Sequence, residues 1–232
     1  MKTILHKSDE RGGGDYGWLK TRYSFSFSDW YNPSRMGFGL LRVFNDDIID
    51  AGKGFGFHSH QDMEIVTIVM SGSVRHRDNM GNDYVVGDGD VQVMSAGTGV
   101  SHAEENASGT EPLELFQLWI EPKLKSVTPR YEQKNFGLAS VKNSLIPIVK
   151  SGVLEINQDA TIYYGSTEAK ESVEHVLEKK GGGVYVFVVE GDINIEGNIL
   201  NKRDAIGISD VSDIKIKTNS GAKFLIIEVP MS

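Results

Sequence analysis

The sequence predicts an all-β protein built from short strands and tight turns. Its apolar segments are brief and lie between clusters of glycine, asparagine and aspartate, with 26 glycines and 6 prolines in 232 residues. Tyr23, Phe25 and Phe27 alternate with polar residues, which is typical of a strand with one buried face. Helical periodicity is weak throughout the chain. Short strands at regular spacing with glycine turns indicate a β-sandwich or β-barrel.

The individual strands are predicted from runs of apolar and β-branched residues. In the first half these are Leu40–Phe44, Met63–Met70, Asp90–Met94 and Leu113–Ile120. In the second half they are Ile146–Val149, Thr161–Tyr164, Val184–Val189, Asp192–Ile195, Asp213–Lys217 and Lys223–Val229. The turn-rich tract Asp78–Asn82 predicts a hairpin loop. Glu168–Lys179 is the best candidate for a short helix.

A faint internal repeat indicates two similar β-barrels in tandem. The run Val69–Val74 followed by Gly89-Asp90 resembles Val188–Ile193 followed by Arg203-Asp204. In both, a β-run reaches a glycine turn, and an aspartate later opens another strand. We expect the join within residues 121–144, where prolines and mixed charges interrupt the pattern. The predicted domains are therefore residues 1–130 and 131–232.

Composition excludes several classes of function. The formal net charge is −8, and a diffuse negative surface does not favour direct binding of nucleic acid, which needs clustered lysine and arginine. No apolar run is long enough for a membrane span or the core of a signal peptide. The chain has no cysteine, which excludes disulfide frameworks, thiolate metal sites and thiol nucleophiles. We therefore expect a cytoplasmic protein without membrane contacts, in which any metal is held by histidine and carboxylate.

Two short motifs have the spacing of metal ligands. His58 and His60 are two residues apart, and so are His102 and Glu104. Residues at i and i+2 of a strand project from the same face, so each pair can reach one ion. Three nitrogens and one oxygen suit a first-row divalent metal, and an octahedral ion would keep two positions open. The HxH pair alone is weak evidence, but two such pairs beside glycines favour a metal site.

Residues 10–110 resemble the pirin family of bicupins. The matching stretches are Gly17–Lys20, Phe25–Phe27, Arg35–Gly39, Leu41–Val43, Asn45–Asp47, Gly54–His60, Asp62–Thr67, His76–Asn82 and Met94–Gly99. The resemblance implies two cupin β-barrels with a metal in the N-terminal barrel only. It also implies that His58, His60, His102 and Glu104 are the metal ligands.

The resemblance further implies an enzyme similar to pirin-like quercetinases, which cleave the heterocyclic ring of a flavonol such as quercetin with O₂ to give a depside and carbon monoxide. We expect one divalent ion, Fe(II), with Ni, Cu, Zn, Mn and Co as the alternatives. The substrates are then a small aromatic, flavonol-like molecule and O₂. Glu104, or Glu64 behind it, is the candidate general base.

Three alternatives remain open at this stage. A generic cupin motif would make Glu64 the carboxylate ligand, since Gly52, His58, His60 and Glu64 fit that pattern. The protein could instead be a metal- or redox-sensing regulatory module that acts through a protein partner without turnover. It could also carry out another cupin reaction on a small metabolite.

The second barrel lacks the ligand motifs. If Gly191 matches Gly72, the HxH pair should fall near residues 177–179 and the counterpart of His102 near Ile216, and neither place offers a ligand set. His175 is isolated and is predicted to be a surface or capping residue. His6, near the terminus, is predicted to be solvated.

Overall fold

The computed structural model describes residues 1–232 and confirms the all-β fold, with twenty strands and two 3₁₀ turns, Ser8–Glu10 and Leu138–Ser140. The strands of the first half are β1 (Lys2–His6), β2 (Gly12–Asp15), β3 (Leu19–Tyr23), β4 (Leu41–Ile49), β5 (Gly54–His60), β6 (Glu64–Ser71), β7 (Ser73–Asp78), β8 (Asp83–Gly87), β9 (Asp90–Ser95), β10 (Val100–Asn106), β11 (Leu113–Ile120) and β12 (Arg130–Asn135). Those of the second half are β13 (Ser144–Val149), β14 (Thr161–Thr167), β15 (Ser172–Val176), β16 (Gly182–Ile195), β17 (Asn198–Asn201), β18 (Ala205–Ser209), β19 (Asp213–Lys217) and β20 (Ala222–Pro230). No helix in the protein has the length and apolar character needed to cross a membrane.

The strands form two barrels in tandem, as predicted. In the first barrel a seven-stranded sheet, in the order β12-β9-β6-β11-β4-β3-β2, is joined by a four-stranded sheet, in the order β5-β10-β7-β8. In the second barrel a single nine-stranded sheet supplies both walls, because β16 pairs with β18 and β20 at one end and with β17 and β19 at the other. All of these pairings are antiparallel.

Two strands bear on where the first domain ends and the second begins. Strand β1 pairs with β18, so the first residues of the chain complete the second barrel. Strand β12 pairs with β9, so residues 130–135 belong to a sheet of the first barrel. The division at residues 130 and 131 stays a prediction.

The two barrels share one hydrophobic core of 25 buried residues. Along β6, Val66 and Ile68 face this core, while Thr67 faces the interior of the first barrel. Aromatic rings connect the halves: Phe44 lies 4.4 Å and Phe116 5.4 Å from Phe187, measured between ring centroids. Burial of this large apolar area holds the barrels against each other.

His6 is part of this junction and not solvated, which corrects the sequence prediction. Its side chain is buried, and Nδ1 lies 3.0 Å from the Tyr185 hydroxyl. Burial, aided by the positive charge of Arg35, lowers the pKa of His6 to about 4. The imidazole is therefore neutral at pH 7.

The interiors of the two barrels differ in polarity. Fifteen buried hydrophobic residues fill the second barrel. The first barrel holds only two small apolar clusters, of seven and three residues. Between them lie buried polar side chains on inward-facing strand positions, namely Thr21, Asp47, Thr67, His76, Gln92, His102 and Glu104. Buried polar groups of this kind are rare without a hydrogen-bonding or functional reason.

Two predictions of secondary structure in the second half are wrong. Residues 172–176 form β15 where a helix was expected over Glu168–Lys179, because Val173 and His175 alternate with exposed residues and pack inward. Val184–Val189 and Asp192–Ile195 form one continuous strand. Gly191, at φ 79°, lets this strand bend without a break.

Asp47 provides a test of the polar interior. Burial raises its pKa from 3.8 to about 7, and the charges of Asp46 and Glu104 add to this, although Thr21 donates a hydrogen bond that opposes it. The folded protein therefore disfavours the ionised form of Asp47. Asp47 does not lower the free energy of unfolding at a pH below its unfolded pKa, but lowers it progressively more as the pH rises towards 7. Asp47→Asn removes this penalty. We expect the change in the free energy of unfolding that it causes to be more stabilising at pH 8 than at pH 4, by about 2–4 kcal/mol.

Urea unfolding of both proteins at the two pH values measures this difference. Asp50→Asn is the matched control, because Asp50 is exposed and lies only three residues further along the chain. This variant should show no such pH dependence. An equal effect of Asp47→Asn at pH 4 and pH 8 would contradict the placement of Asp47.

Candidate metal centre

Strands β5 and β10 bring the predicted histidines together at one end of the first barrel. The strands are antiparallel, with His58 opposite His102 and His60 opposite Val100. His58 and His60 project from the same face of β5, as the i, i+2 spacing requires. A register shift follows His102, so that Glu104 lies opposite Phe55.

The three imidazoles form a compact cluster. Their ring centroids are 4.8 Å apart for His58 and His60, 4.5 Å for His58 and His102, and 4.9 Å for His60 and His102. One ring nitrogen from each lies within 4.8 Å of the others. His102 is buried, His60 is half-buried and His58 is exposed, so the cluster opens to solvent on one side.

The state of the ring nitrogens fits a metal ion. Both nitrogens of His102 are buried without a hydrogen-bond partner, an arrangement that costs free energy unless another group binds them. The His58 Nδ1–H donates to the carbonyl of Gly56 at 2.8 Å, which leaves Nε2 free as a ligand and fixes the ring. Burial, together with the neighbouring imidazoles, lowers the pKa of His60 to about 4.

Neutral imidazoles are required for coordination. The pKa of His102 also falls to about 4, since burial outweighs the opposing charge of Glu104. At pH 7 both rings therefore carry free lone pairs. Three imidazoles at this spacing are a donor set that divalent first-row metals accept.

Glu104 lies beside the cluster, next to His102. Its carboxylate accepts hydrogen bonds from Gln92 Nε2 at 2.9 Å and Gln117 Nε2 at 2.7 Å, and lies 3.9 Å from His76 Nδ1. Burial alone would raise its pKa, but the neighbouring imidazoles of His76 and His102 and the hydrogen bond from Gln92 lower it to about 2. The group is therefore ionised at neutral pH.

The four predicted ligands, together with His76, form two overlapping sets in the structure. His58, His60 and His102 make one set, and His76, His102 and Glu104 make the other, with His102 common to both. His76 is fully buried, and its Nε2 lies 3.1 Å from a carboxylate oxygen of Asp78. Glu104 thus shares a set with His102 but not with His58 and His60.

Glu64 has its hydrogen-bond partners away from Glu104, and its role as a ligand or base stays a prediction from the sequence. Its carboxylate accepts hydrogen bonds from the Ser95 hydroxyl at 2.6 Å and the Asn157 backbone N–H at 2.9 Å. Glu64 and Thr67 lie three positions apart on β6, so they project from opposite faces, and Thr67 is the one that faces Glu104. The generic cupin assignment of Glu64 as ligand has no support in this geometry.

Several residues that shape the site were not predicted from the sequence. Gln92, Gln117, Thr67 and His76 surround Glu104, and the Trp119 ring packs 4.8 Å from that of His60. One pattern could have revealed the two glutamines. Each lies in the middle of an otherwise apolar strand, where a polar side chain must have a buried partner.

The second barrel contains no comparable set of ligands. Strand β15 pairs with β19 as β5 pairs with β10, which places His175 opposite Ile214 as His58 is opposite His102. The counterpart of the HxH motif is therefore at His175 and not at residues 177–179. His175 is buried, against prediction, and its Nε2 lies 2.6 Å from Glu228. No group of three potential ligands forms around it.

Two family models match the chain. A model described as Pirin matches residues 5–120, and one described as Quercetinase C-terminal cupin domain matches residues 147–229. Each match falls within one half of the chain and so corresponds to one barrel. The two barrels are therefore cupin domains.

Similar proteins span nearly the whole chain. The quercetin 2,3-dioxygenase of Escherichia coli strain K12 is 41% identical over 228 residues, which cover 97% of this chain and 98% of that protein. A pirin-like protein of Caulobacter vibrioides is 38% identical over 225 residues, covering 95% and 96%. The crystal structure of the bacterial pirin YhhW from Escherichia coli in complex with nickel(II) has a TM-score of 0.93 at 39% identity and covers 100% of both chains.

Substitution of each candidate carboxylate, Glu104 or Glu64, shows which of the two contributes to metal binding. Glu104→Gln removes a charge beside His102, so we expect the affinity for Ni(II), used as a probe ion, to fall about 10- to 100-fold. Glu64→Gln should bind Ni(II) within about twofold of the unmodified protein, since Glu64 faces Ser95 and Asn157. Isothermal titration calorimetry measures both affinities. A loss of binding in Glu64→Gln with no loss in Glu104→Gln would reverse the assignment.

Proposed function

The chain belongs to the pirin family of bicupins, and from this membership and its histidine cluster we propose that it is a metal-dependent dioxygenase that opens the heterocyclic ring of a flavonol such as quercetin. The observation that carries the proposal is the form of the cluster. His102 is buried and anchors one side, while His58 is exposed. A group bound there is fixed from within the barrel and accessible to a substrate from outside.

His58, His60, His102 and Glu104 are the proposed ligands of one divalent ion. We propose that the ion is Fe(II). Ni, Cu, Zn, Mn and Co are the alternatives, because the affinity of nitrogen and oxygen sites rises towards Cu and cellular supply also determines which ion is bound. Such an ion supplies Lewis acidity, which lowers the pKa of a substrate hydroxyl and favours reaction of the resulting enolate with O₂. Imidazole coordinates a metal as a neutral group, so Glu104 is the one proposed ligand whose charge offsets that of the ion.

Glu104 has two proposed roles, as a ligand and as the acceptor of the hydroxyl proton. It is ionised at neutral pH, and Gln92 and Gln117 hold its two oxygens in place. These amides restrict rotation of the carboxylate, so that a proton or an ion meets it in one orientation. Glu64 has no part in this proposal.

The overall reaction consumes one flavonol and one O₂. The heterocyclic ring opens, the ring carbon that bears the hydroxyl leaves with its own oxygen as carbon monoxide, and both atoms of O₂ are incorporated into the depside product. The chain's own residues bind and orient the substrate, exclude water on the buried side and take up the hydroxyl proton. A cytoplasmic location, the absence of direct nucleic-acid binding and the existence of a protein partner stay predictions from the sequence.

Turnover of quercetin tests the proposal. Protein loaded anaerobically with Fe(II) and then exposed to air should consume quercetin, seen as loss of its absorbance, and release carbon monoxide. His60→Ala and Glu104→Ala should reduce kcat/KM by more than about 100-fold, since each removes a ligand of the ion. Ser59→Ala, at the exposed residue between the two histidines, is the control and should retain activity.

One result would reject the dioxygenase. If the loaded protein binds its ion stoichiometrically yet leaves quercetin unchanged, the regulatory module or another substrate becomes the better account. Equal turnover by Glu104→Ala and the unmodified protein would instead reject only the role of Glu104.

A further inference from the structure

An aromatic cleft lies beside the histidine cluster at the same end of the first barrel. The segment of residues 24–40, which connects β3 to β4, forms one wall, and strands β4 and β11, with Met63 just before β6, form the other. The cavity has a volume of about 350 Å³. Its apolar lining includes Phe27, Trp30, Tyr31, Met36, Met63 and Trp119.

Trp119 connects this cleft to the histidines. Its indole ring lies 4.8 Å from the ring of His60 at 81°, and 5.3 Å from the ring of Phe27 at 86°. Its Nε1–H donates to Gln117 Oε1 at 3.0 Å, and Gln117 in turn holds Glu104. One side chain therefore forms a wall of the cleft and also contacts a proposed metal ligand.

The outer wall of the cleft is held in place before any ligand binds. Phe27 and Trp30 exchange two backbone hydrogen bonds of 3.1 Å. The Trp30 ring lies over Gly12 so closely that a Cβ on this glycine would be 2.1 Å from it. Arg42 donates to the carbonyl of Ser26 at 3.0 Å. A preformed wall lowers the ordering cost of binding.

The chemistry of the cleft indicates what it binds. Tyr31 is 72% exposed and Met36 42% exposed, so large apolar groups face the cleft opening without cover from this chain. Aromatic faces and thioethers attract flat π-systems. Arg42 is the one charged residue of the lining, and its guanidinium favours an electron-rich ring over a cationic one.

We propose that this cleft is the docking site for the aryl substituent of a flat, electron-rich aromatic substrate whose oxygens reach the histidine cluster. This rests on the proposed function and adds where the substrate binds. Trp119 lies between the cleft and the histidine cluster, so its indole ring limits the size and orientation of a substrate that occupies both. The competing position is the exposed face of β5, where Phe57, next to His58 in the chain, is 60% exposed and Arg77 lies 5.8 Å from its ring.

The test uses flavone, which has the aryl ring but lacks the 3-hydroxyl that the reaction requires. Its dissociation constant is measured by quenching of tryptophan fluorescence, on the full-length protein both without metal and with Ni(II). Tyr31→Ala and Met36→Ala should each weaken flavone binding about three- to tenfold in both states. Both residues are exposed, so circular dichroism should show an unchanged fold.

Two variants serve as comparators. Tyr16→Ala removes a tyrosine that is 49% exposed and does not line the cleft, and this variant should bind flavone as the unmodified protein does. Phe57→Ala tests the competing position. If Phe57→Ala loses flavone binding while Tyr31→Ala and Met36→Ala keep it, or if the unmodified protein binds no flavone, the cleft proposal is wrong.

The outcome separates this proposal from the dioxygenase. Flavone binding that depends on Tyr31 and Met36 in a protein that does not consume quercetin would support the cleft and reject the reaction. Consumption of quercetin with an unchanged KM in both cleft variants, together with unchanged flavone binding, would reject the cleft alone. A raised KM with an unchanged kcat in those variants would support both.

Discussion

A carboxylate buried in the first barrel imposes the constraint on which the rest of the site depends. Glu104 is ionised and almost completely enclosed, so its oxygens need donors on every side. Gln92 and Gln117 provide them from two neighbouring regions of the sheet, and His76 lies against the same group. These partners fix the end of β10 and thereby the position of His102 opposite His58.

The two barrels show what happens when this constraint is absent. Their strands pair in the same plan, but Ile214 and Ile216 fill the inward positions of β19 where β10 carries His102 and Glu104. The interior of the second barrel is then closed by aliphatic packing. His175 remains as a single buried imidazole bound to Glu228. The polarity of a few inward-facing residues therefore decides whether a barrel forms a site or a packed core.

The sequence predicted the fold and the histidine cluster well because both depend on local spacing. Leu113–Ile120 and Asp213–Lys217 form strands with the predicted bounds, and the i, i+2 rule placed His58 and His60 on one face. The position of His175 was missed because loop lengths differ between the barrels, so a fixed offset failed. The faces of Glu64 and Glu104 depend on which strands pair across the barrel, and spacing along the chain does not contain that information.

We propose that one end of the first barrel, and no part of the second, holds a metal ion. Anomalous diffraction from crystals of the metal-loaded protein, recorded at the absorption edge of the ion, would locate it. We expect one peak per chain, in contact with His58, His60, His102 and Glu104. A peak beside His175 and Glu228, or one confined to His76, His102 and Glu104, would contradict it.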